Sequence, residues 1–538
     1  MKLDKSASIK SIIYNHPDRT TNYEGGVAFK MPPMERLYTR VASCLIKEHK
    51  FYKETDEGGL VAENQDELLL ADIQEVAKTD PEFILKLAEY ARNGLNLRSV
   101  SIVLLVEASL IPACKPFVRK YAPRIIRRAD ELAEATAYLQ TKVGHLGNKR
   151  DKGSMPSALK RGLADAFHNF EEYHFAKYDR DGAVKLKDVL KLVHPKPKDK
   201  AQSGLFKRIS ERTLKVPDTW EVAISTKGST KESWEKIAPK MPFMALLRNL
   251  RNFHEHDVDM RPILAKLTDP EIVRKSRQFP FRFLSAYREL EEVKTVGVTK
   301  TLDALETAMD ISAENLPRLD GATLLIADVS GSMDAAISAK SKVTMKDIST
   351  LMLSLAHKLC DSPITMAFGT DAEIINLSQR NGVISNMRHL REEGERLGGS
   401  TEAWKTLDLM MAKKLKVDRI ILFSDMQCYN STDEDMTGEE YRYTHSFAGR
   451  FLKYKRTINP KVKLYSIDLS GYGTLQTPKE DACLIAGWSD RILEFIDIFE
   501  KDKKGAIEII KAGSWRKVKH DDKEGKERMD DTHTDNPS

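Results

Sequence analysis

The sequence predicts a multidomain protein in which a long α-solenoid is followed by an α/β domain with a parallel sheet. The chain has 538 residues, too many for one domain of the usual size of about 100 to 200 residues. Apolar residues recur every three or four positions through residues 66–283, which predicts successive helices. After residue 319, strand-like apolar runs alternate with amphipathic helices, a pattern typical of βαβ units.

The predicted helices follow one another for roughly 250 residues with short polar joints and no strict repeat, which favours stacked helical hairpins over one closed bundle. In the second part, the runs ATLLIADVS, PITMAFG, DRIILFSD and KVKLYSIDLS predict strands, and residues 343–359 predict a helix between the first two. We therefore expect a helical domain over residues 1–319, an α/β domain over 320–514 and a charged, disordered tail over 515–538.

The composition argues against several classes of protein. Hydrophobic residues make up 41% of the chain and charged residues 31%, which is typical of a soluble globular protein and not of a disordered one. No apolar run approaches the roughly 18 to 20 residues that span a bilayer, and the N-terminus lacks the apolar core of a signal peptide. We expect a cytoplasmic protein that does not bind membranes. The five cysteines are scattered and form no CxxC pair, which argues against a zinc or redox centre.

Three polar loops are predicted to meet at one edge of the sheet. The first is the DxSxS sequence that begins at Asp328, directly after an apolar strand; the second is the glycine-rich loop at 398–401, and the third begins at Asp425, which closes another apolar run. In an open parallel sheet, ligands bind beyond the carboxyl ends of the strands, so these loops should converge. The alternative is that DxSxS is only a polar turn, because Asp, Ser and Gly are ordinary turn residues.

This set of loops resembles the metal-ion-dependent adhesion site of von Willebrand factor A domains, which hold one divalent cation. The resemblance implies binding of Mg²⁺ or another divalent cation, whose preferred ligands are hard oxygens. That family usually has Thr directly after the glycines, whereas Ser400 intervenes here, so either Ser400 or Thr401 is the ligand from the glycine-rich loop. The implied ligands are Asp328, Ser330, Ser332, Thr401 and Asp425.

The positive charge of the chain is concentrated in one segment. The whole chain carries a net charge of +6, but residues 142–216, the basic segment, contain 18 Lys or Arg against 9 Asp or Glu, a local charge of +9. Upstream, Lys120, Arg124 and Arg128 recur at four-residue spacing and would form one stripe on a helix, with Arg119 and Arg127 beside them. Such clusters indicate either a solvated helix face or a surface that binds phosphate backbones.

Several sequence words in the helical part look like signatures of the TROVE module. They are NYEGG at 22–26, KDVLKLVHP at 187–195, PDTWE at 217–221 with SWE at 233–235, MPFMALLRNLRN at 241–252 and FPFRF at 279–283. A TROVE module followed by an A domain resembles the Ro 60-kDa autoantigen family, in a bacterial or phage-like form. Within these words, Trp220 and Trp234 are expected to pack between helices and to identify the fold, not the chemistry.

The resemblance implies a monomeric ring of HEAT-like helical repeats closed by the A domain. Such a ring would bind Y RNA or a Y-like small noncoding RNA on its outer surface and single-stranded 3′ ends of misfolded or structured RNAs at its central hole, in RNA quality control or processing. An exoribonuclease such as polynucleotide phosphorylase is an implied partner. The candidate RNA contacts are Arg119, Lys120, Arg124, Arg127, Arg128, Lys149, Lys160, Arg161, Lys177, Arg180, Lys185, Lys187, Lys191 and His194, although a helix-end role competes for His194.

The main hypothesis is therefore an RNA-binding scaffold that is not an enzyme, because the sequence shows no nucleophile elbow, no Walker loop and no nuclease carboxylate cluster. The alternative is a metal-dependent protein-interaction adaptor, in which the A domain captures an acidic partner and the basic helices are only solvated surface. A metal-dependent ribonuclease is a third and weaker possibility.

Overall fold

The computed structural model describes most of the chain in two compact units. The described residues are 8–44, 52–54, 60–62, 67–144, 146, 154–179, 181–216, 219–336, 341–429, 439–470, 473–478, 482–486, 493, 496, 500 and 505–515. We call the unit formed by segments 33–44, 48–217 and 504–538 the helical unit, and the unit formed by segments 1–32, 45–47 and 218–503 the sheet unit. Of the candidate RNA contacts, Lys149 and Arg180 lie outside the described residues.

In the N-terminal two fifths of the chain, the residues that the structure describes form helices and two short hairpins. In chain order these elements are α1 (Ile9–Tyr14), β1 (Arg19–Thr21), β2 (Val27–Lys30), α2 (Pro33–Ser43), β3 (Tyr52–Glu54), β4 (Leu60–Ala62), α3 (Glu67–Thr79), α4 (Pro81–Asn93), α5 (Ser99–Leu110), α6 (Lys115–Ile125), α7 (Asp130–Val143), α8 (Ser157–Ala166), α9 (Glu172–Tyr178), α10 (Leu186–Val193) and α11 (Lys200–Glu211).

The helices of the helical unit form because apolar side chains repeat along one face of each. In α10, for example, Leu186, Val189, Leu190 and Val193 are buried, while Lys191 is exposed. α4 packs on α5 and α6, α6 packs on α8, α8 packs on α10, and α10 packs on α11. Much of the basic segment thus lies on mutually packed helices. The described part of the chain holds no single helix long and apolar enough to cross a membrane.

The longest segment of the sheet unit, 218–503, begins with further helices and then changes to alternating strands and helices. The helices are α12 (Trp220–Lys227), α13 (Lys231–Ile237), α14 (Phe243–Arg248), α15 (Leu250–Glu255), α16 (Arg261–Thr268), α17 (Pro270–Ser276), α18 (Pro280–Leu290) and α19 (Val298–Ala313). They are followed by β5 (Leu319–Asp328), α20 (Met345–Leu359), β6 (Cys360–Phe368), β7 (Ala372–Ile374), α21 (Val383–Glu395), α22 (Trp404–Ala412), β8 (Arg419–Ser424), α23 (Glu439–Thr444), α24 (Phe447–Thr457), β9 (Lys463–Asp468), β10 (Thr474–Leu475) and β11 (Cys483–Ala486); the last helix, α25 (Ala506–Ala512), belongs to the helical unit.

Within the described residues, the main sheet has six strands in the order β11-β9-β8-β5-β6-β7, and all neighbours are parallel except the edge strand β7. On one face, α22 and α24 pack against the strands through a core that contains Ile326, Leu422, Leu407 and Phe451. Helix α20 contacts β5, β6 and β8. Leu325 points to the other face, because side chains alternate along a strand, and it is buried as well, so both faces of the sheet are covered.

A second, three-stranded sheet joins the start of the chain to the α/β part of the sheet unit. β2 pairs antiparallel with β1 on one side and with β10 on the other, so that Phe29 lies opposite Leu475. An apolar cluster that includes Ile13, Phe29, Tyr443 and Leu475 lies at this junction. The first 32 residues therefore belong to the sheet unit and not to the helices that follow them in sequence.

The fold class predicted from the sequence, a helical-repeat part and an α/β A-type domain, is confirmed by these elements. The four predicted strands correspond to β5, β6, β8 and β9, and the predicted helix corresponds to α20. The domain limits 1–319, 320–514 and 515–538 stay predictions. Of the predicted tail only Trp515 is described, and its buried ring lies 5.5 Å from that of Tyr90.

Candidate functional site

The DxSxS loop starts at the carboxyl end of β5, where Asp328 is the last residue of the strand and is fully buried. Its Oδ1 accepts hydrogen bonds from the backbone N–H of Ser330 (3.0 Å) and from the Ser330 hydroxyl (2.6 Å). The hydroxyl oxygens of Ser330 and Ser332 are 3.2 Å apart. The loop thus folds over the carboxylate and gathers the oxygens of three side chains at the end of the strand.

The loop after β8 meets the DxSxS loop, as the sheet topology predicts. The Ser424 hydroxyl donates to Oδ2 of Asp328 (2.7 Å). Asp425 is buried, accepts a hydrogen bond from the backbone N–H of Gln427 at its Oδ1 (3.1 Å), and is hydrogen-bonded to Ser332. The structure therefore brings together Asp328, Ser330, Ser332 and Asp425, and their role as metal ligands stays a prediction.

The glycine-rich loop reaches the same place through its backbone. The N–H of Gly331 in the DxSxS loop donates to the carbonyl oxygen of Gly399 (3.0 Å), and the carbonyl oxygen of Thr401 accepts from the N–H of Tyr429 (3.0 Å) in the loop after β8. Thr401 is buried, whereas Ser400 is half-buried and its N–H donates to the Thr370 hydroxyl (3.2 Å). These contacts place the glycine-rich loop beside the two other loops, and the choice between Ser400 and Thr401 as its ligand stays a prediction.

The electrostatics of the site fit a cation. Burial, and then the neighbouring Asp425, raise the pKa of Asp328 to about 7, and burial also raises the pKa of Asp425. Among the described residues, no Lys or Arg acts on the pKa of either carboxylate, and no group of three or more His, Cys, Asp or Glu side chains is arranged to hold a metal. Two uncompensated carboxylates surrounded by hydroxyls suit a hard divalent cation such as Mg²⁺.

The N-terminal NYEGG loop lies against this site, which reasoning from the sequence did not foresee. The Asn22 side-chain amide donates to the carbonyl oxygen of Cys428 (2.7 Å), and the N–H of Tyr23 donates to Oε1 of Gln427 (2.9 Å). Glu24 is exposed and lies close enough to Asp425 to contribute to its raised pKa. The only signal in the sequence was the NYEGG word itself, because no spacing rule links residues some 400 positions apart.

The candidate RNA contacts divide into cations with and without an acidic partner. Four of them form ion pairs, each at an N···O distance of 2.7 to 2.9 Å. These pairs are Arg119 with Asp165, Lys120 with Glu82, Arg128 with Asp130 and Lys185 with Asp181. An ion-paired cation has less charge to offer a phosphate, so these residues are the weaker candidates.

The remaining candidates have no ion pair within the parts of the chain that the structure describes. They are Arg124, Arg127, Lys160, Arg161, Lys177, Lys187 and Lys191, carried by α6, α8, α9 and α10 or the turn after α6. His194 is exposed and occupies the C-cap position of α10 in the left-handed conformation (φ 51°), as expected for a helix-end residue.

The predicted stripe of four-residue spacing is wrong beyond Arg124. Helix α6 ends at Ile125, because the chain becomes extended at Ile126, so Arg127 and Arg128 lie in the turn before α7. The guanidinium of Arg128 lies over the ring of Tyr178, with 4.4 Å between its central carbon and the ring centroid. Of the three stripe residues, only Lys120 and Arg124 share a face of α6.

The fold and the site define a class of protein with two parts. One part consists of helical repeats, and the other is a parallel-sheet domain that carries a DxSxS loop. The TROVE-domain family model matches residues 37–214 and 205–345, more than half of the chain. The crystal structure of the Deinococcus radiodurans RO (RSR) protein has the same fold, with a TM-score of 0.58 and 17% identity over 84% of this chain and 97% of that one. The chain belongs to the TROVE-domain family.

Two kinds of relatives match parts of the chain in sequence. The mouse and rat proteins named telomerase protein component 1 are 28% and 26% identical to it, over 42% of this chain and 12% of each relative. The RNA-binding protein RO60 of Deinococcus radiodurans is 22% identical over 52% of this chain and 61% of the relative. The chain thus spans about an eighth of the length of the telomerase proteins. Family membership also supports the expectation of a protein that is not an enzyme.

Proposed function

We propose that this chain is an RNA-binding protein and the scaffold of a small cytoplasmic ribonucleoprotein. The observation that carries the proposal is the set of cations without an acidic partner, among the described residues, on packed helices, since such a surface suits a phosphate backbone. The name of the Deinococcus relative supports it. The proposed ligand is a structured small noncoding RNA of the Y-RNA type.

The proposal extends to a role in RNA quality control or processing. In this role the helices close into a ring, the basic helices hold the structured RNA on its outer surface, and single-stranded 3′ ends of misfolded RNAs enter the central hole. An exoribonuclease such as polynucleotide phosphorylase would then act on the RNA that the scaffold presents. Family membership supports this extension.

The second part of the proposal is a divalent cation, Mg²⁺ by preference, at the end of β5. Asp328 and Asp425 would hold it together with the hydroxyls of Ser330, Ser332 and Thr401, and it would supply an open position for an acidic group. The buried, uncompensated carboxylates support this assignment. They also favour the second candidate function, a metal-dependent adaptor that captures an acidic protein partner without binding RNA.

Charge reversal on two neighbouring helices tests the RNA proposal. Arg161 on α8 and Lys191 on α10 are both exposed, so the double variant Arg161→Glu, Lys191→Glu should fold and should lose up to two phosphate contacts. The affinity for a labelled stem–loop RNA should then depend less steeply on salt. The magnitude of the slope of log affinity against log salt should decrease by about 1.4 to 1.8, because each lost contact contributes about 0.7 to 0.9.

The control has the same charge change elsewhere. Lys294 and Lys300 are exposed residues of the sheet unit, and their reversal to Glu should leave the slope unchanged. Fluorescence anisotropy at several salt concentrations measures both variants. Equal slopes for the Arg161, Lys191 variant and the unaltered protein would exclude the basic helices as the RNA surface and would favour the adaptor.

A further inference from the structure

An exposed tyrosine stands among the cations of the helical unit. Tyr173 on α9 is 50% exposed, one of the few large apolar side chains with such exposure among the described residues. Lys177 follows it by one helical turn, and the Lys177 ammonium lies 6.0 Å from the centroid of the Tyr173 ring. Single exposed apolar residues are common, so the ring alone would indicate nothing. Its position beside a lysine that has no acidic partner among the described residues is what requires an explanation.

A second tyrosine extends the same arrangement. The Lys177 ammonium also lies 5.9 Å from the ring centroid of Tyr178, and the guanidinium of Arg128 covers that ring at 4.4 Å. The segment before α9 is tied to α6, because the Asn169 side-chain amide donates to the carbonyl oxygen of Pro123 (2.7 Å). Aromatic rings and cations therefore form one fixed surface that joins α9 to the end of α6.

The chemistry of this surface matches a nucleotide whose base is not paired. Each base has a π face that can stack on a tyrosine ring, and the phosphate of the same nucleotide can reach an adjacent ammonium. Bases inside a duplex are already stacked on both faces and cannot reach the ring. Loops, bulges and single-stranded ends can present their bases in this way.

We propose that Tyr173, with Lys177 beside it, is a stacking site for an unpaired base of the bound RNA. The proposal rests on the proposed RNA-binding function and adds to it a site on α9 for an unpaired nucleotide and a residue that no phosphate contact requires. Under this proposal the basic helices supply affinity for any RNA backbone, and Tyr173 adds a preference for single-stranded segments next to the structured part.

Replacing Tyr173 by Leu, which keeps an apolar side chain but removes the ring, tests the proposal. Stacking of one base contributes about 1 to 3 kcal/mol, so the affinity for a labelled 10-nucleotide oligoadenylate should fall about 5-fold to 150-fold. The salt slope should not change, because no phosphate contact is lost. The affinity for a blunt RNA duplex should stay the same, and Tyr173→Phe should bind like the unaltered protein.

A matched control is available in the sheet unit. Tyr14 is 40% exposed and lies beside Arg19, and Tyr14→Leu should bind oligoadenylate normally. Unchanged oligoadenylate binding by Tyr173→Leu, or an equal loss for the duplex, would overturn the stacking site. If the Arg161, Lys191 variant still loses RNA affinity in that case, the proposed function stands without it; if neither variant changes binding, both proposals fail.

Discussion

Asp328→Asn is expected to stabilise the metal-free protein, although it removes a side chain from a candidate functional site. In the absence of a cation the Asp328 carboxylate is buried, and burial together with Asp425 raises its pKa from 3.8 to about 7. At about 1.4 kcal/mol per pKa unit, the ionised carboxylate costs the fold up to about 4 kcal/mol. Asparagine has nearly the same shape and carries no charge. Its side-chain oxygen can keep the bonds from Ser330, and its amide can donate to the Ser424 hydroxyl oxygen, so the variant avoids this cost.

The sign of the pH dependence follows from the direction of the shift. The folded-state pKa lies above the unfolded-state value, so the unfavourable contribution is absent below pH 3.8 and grows as pH rises through about 7. The difference in the free energy of unfolding between Asp328→Asn and the unaltered protein should therefore increase by about 2 kcal/mol between about pH 5.5 and 8. For a domain of this size, each 1 kcal/mol corresponds to a shift of about 2 to 4 °C in the unfolding midpoint.

Thermal unfolding in EDTA and in excess Mg²⁺ provides the assay. In EDTA at pH 8 the midpoint of Asp328→Asn should exceed that of the unaltered protein by several degrees, and the gap should narrow at pH 5.5. Mg²⁺ should stabilise the unaltered protein, by about 2.7 kcal/mol at a hundredfold excess over the dissociation constant, and should leave the variant unchanged. Equal midpoints in EDTA at pH 8, or equal responses to Mg²⁺, would refute the reasoning.

The matched control is Asp347, a second buried aspartate in the same unit. Its carboxylate forms ion pairs with Arg288 (2.7 Å) and with Arg391. Asp347→Asn deprives both guanidinium groups of the carboxylate that they share, so it should lower the midpoint in both buffers, with a loss of up to about 3 to 5 kcal/mol. The same substitution is therefore expected to have opposite effects at the two positions.

Two further substitutions test packing. Gly26→Ala would place a Cβ 2.3 Å from the carbonyl oxygen of Cys428 and should cost about 1 to 3 kcal/mol in thermal unfolding, whereas Gly204→Ala in α11, whose nearest contact at 3.5 Å is the flexible end of Arg208, should cost nothing. Trp234→Ala removes a buried ring and should cost about 3 to 5 kcal/mol while the salt slope of RNA binding stays the same, and the same change at half-buried Trp220 should cost less.

The candidate metal site could be predicted because its residues depend on strand order alone. Asp328 and Asp425 each follow a short apolar run, and adjacent parallel strands bring such positions to one edge of the sheet. The hydrogen bond between Ser424 and Asp328 confirms that these two strand ends meet. The NYEGG loop could not be placed, because its contact with the loop after β8 accompanies the pairing of β2 with β10, strands more than 400 residues apart.

The cationic segment of the chain could be read from the sequence, but the ion pairs that its cations form could not. Tertiary neighbours decide which cations could bind a phosphate without first losing an ion pair. Lys120, for example, is paired with Glu82, which lies 38 residues away on another helix. The residue at which α6 ends could not be predicted from the sequence either. Four-residue spacing continues to Arg128 in the sequence, whereas the helix stops at Ile125.

Ion pairing also determines how much of the positive charge of the basic segment can contact a phosphate backbone. Toward the C-terminal end of the segment, cations form ion pairs with acidic residues of the same segment: Arg208 pairs with Glu172, and Arg212 pairs with Asp181. In the middle of the segment the acidic residues cap helices: Asp188 accepts from the N–H of Lys185, and Asp199 accepts from the N–H of Gln202. Within the described residues, those carboxylates are held by the backbone and form no ion pair with the lysines of α10. The local charge of +9 is therefore not spread evenly but is most available on α8 and α10, where a phosphate backbone would replace water and counterions without first breaking an ion pair.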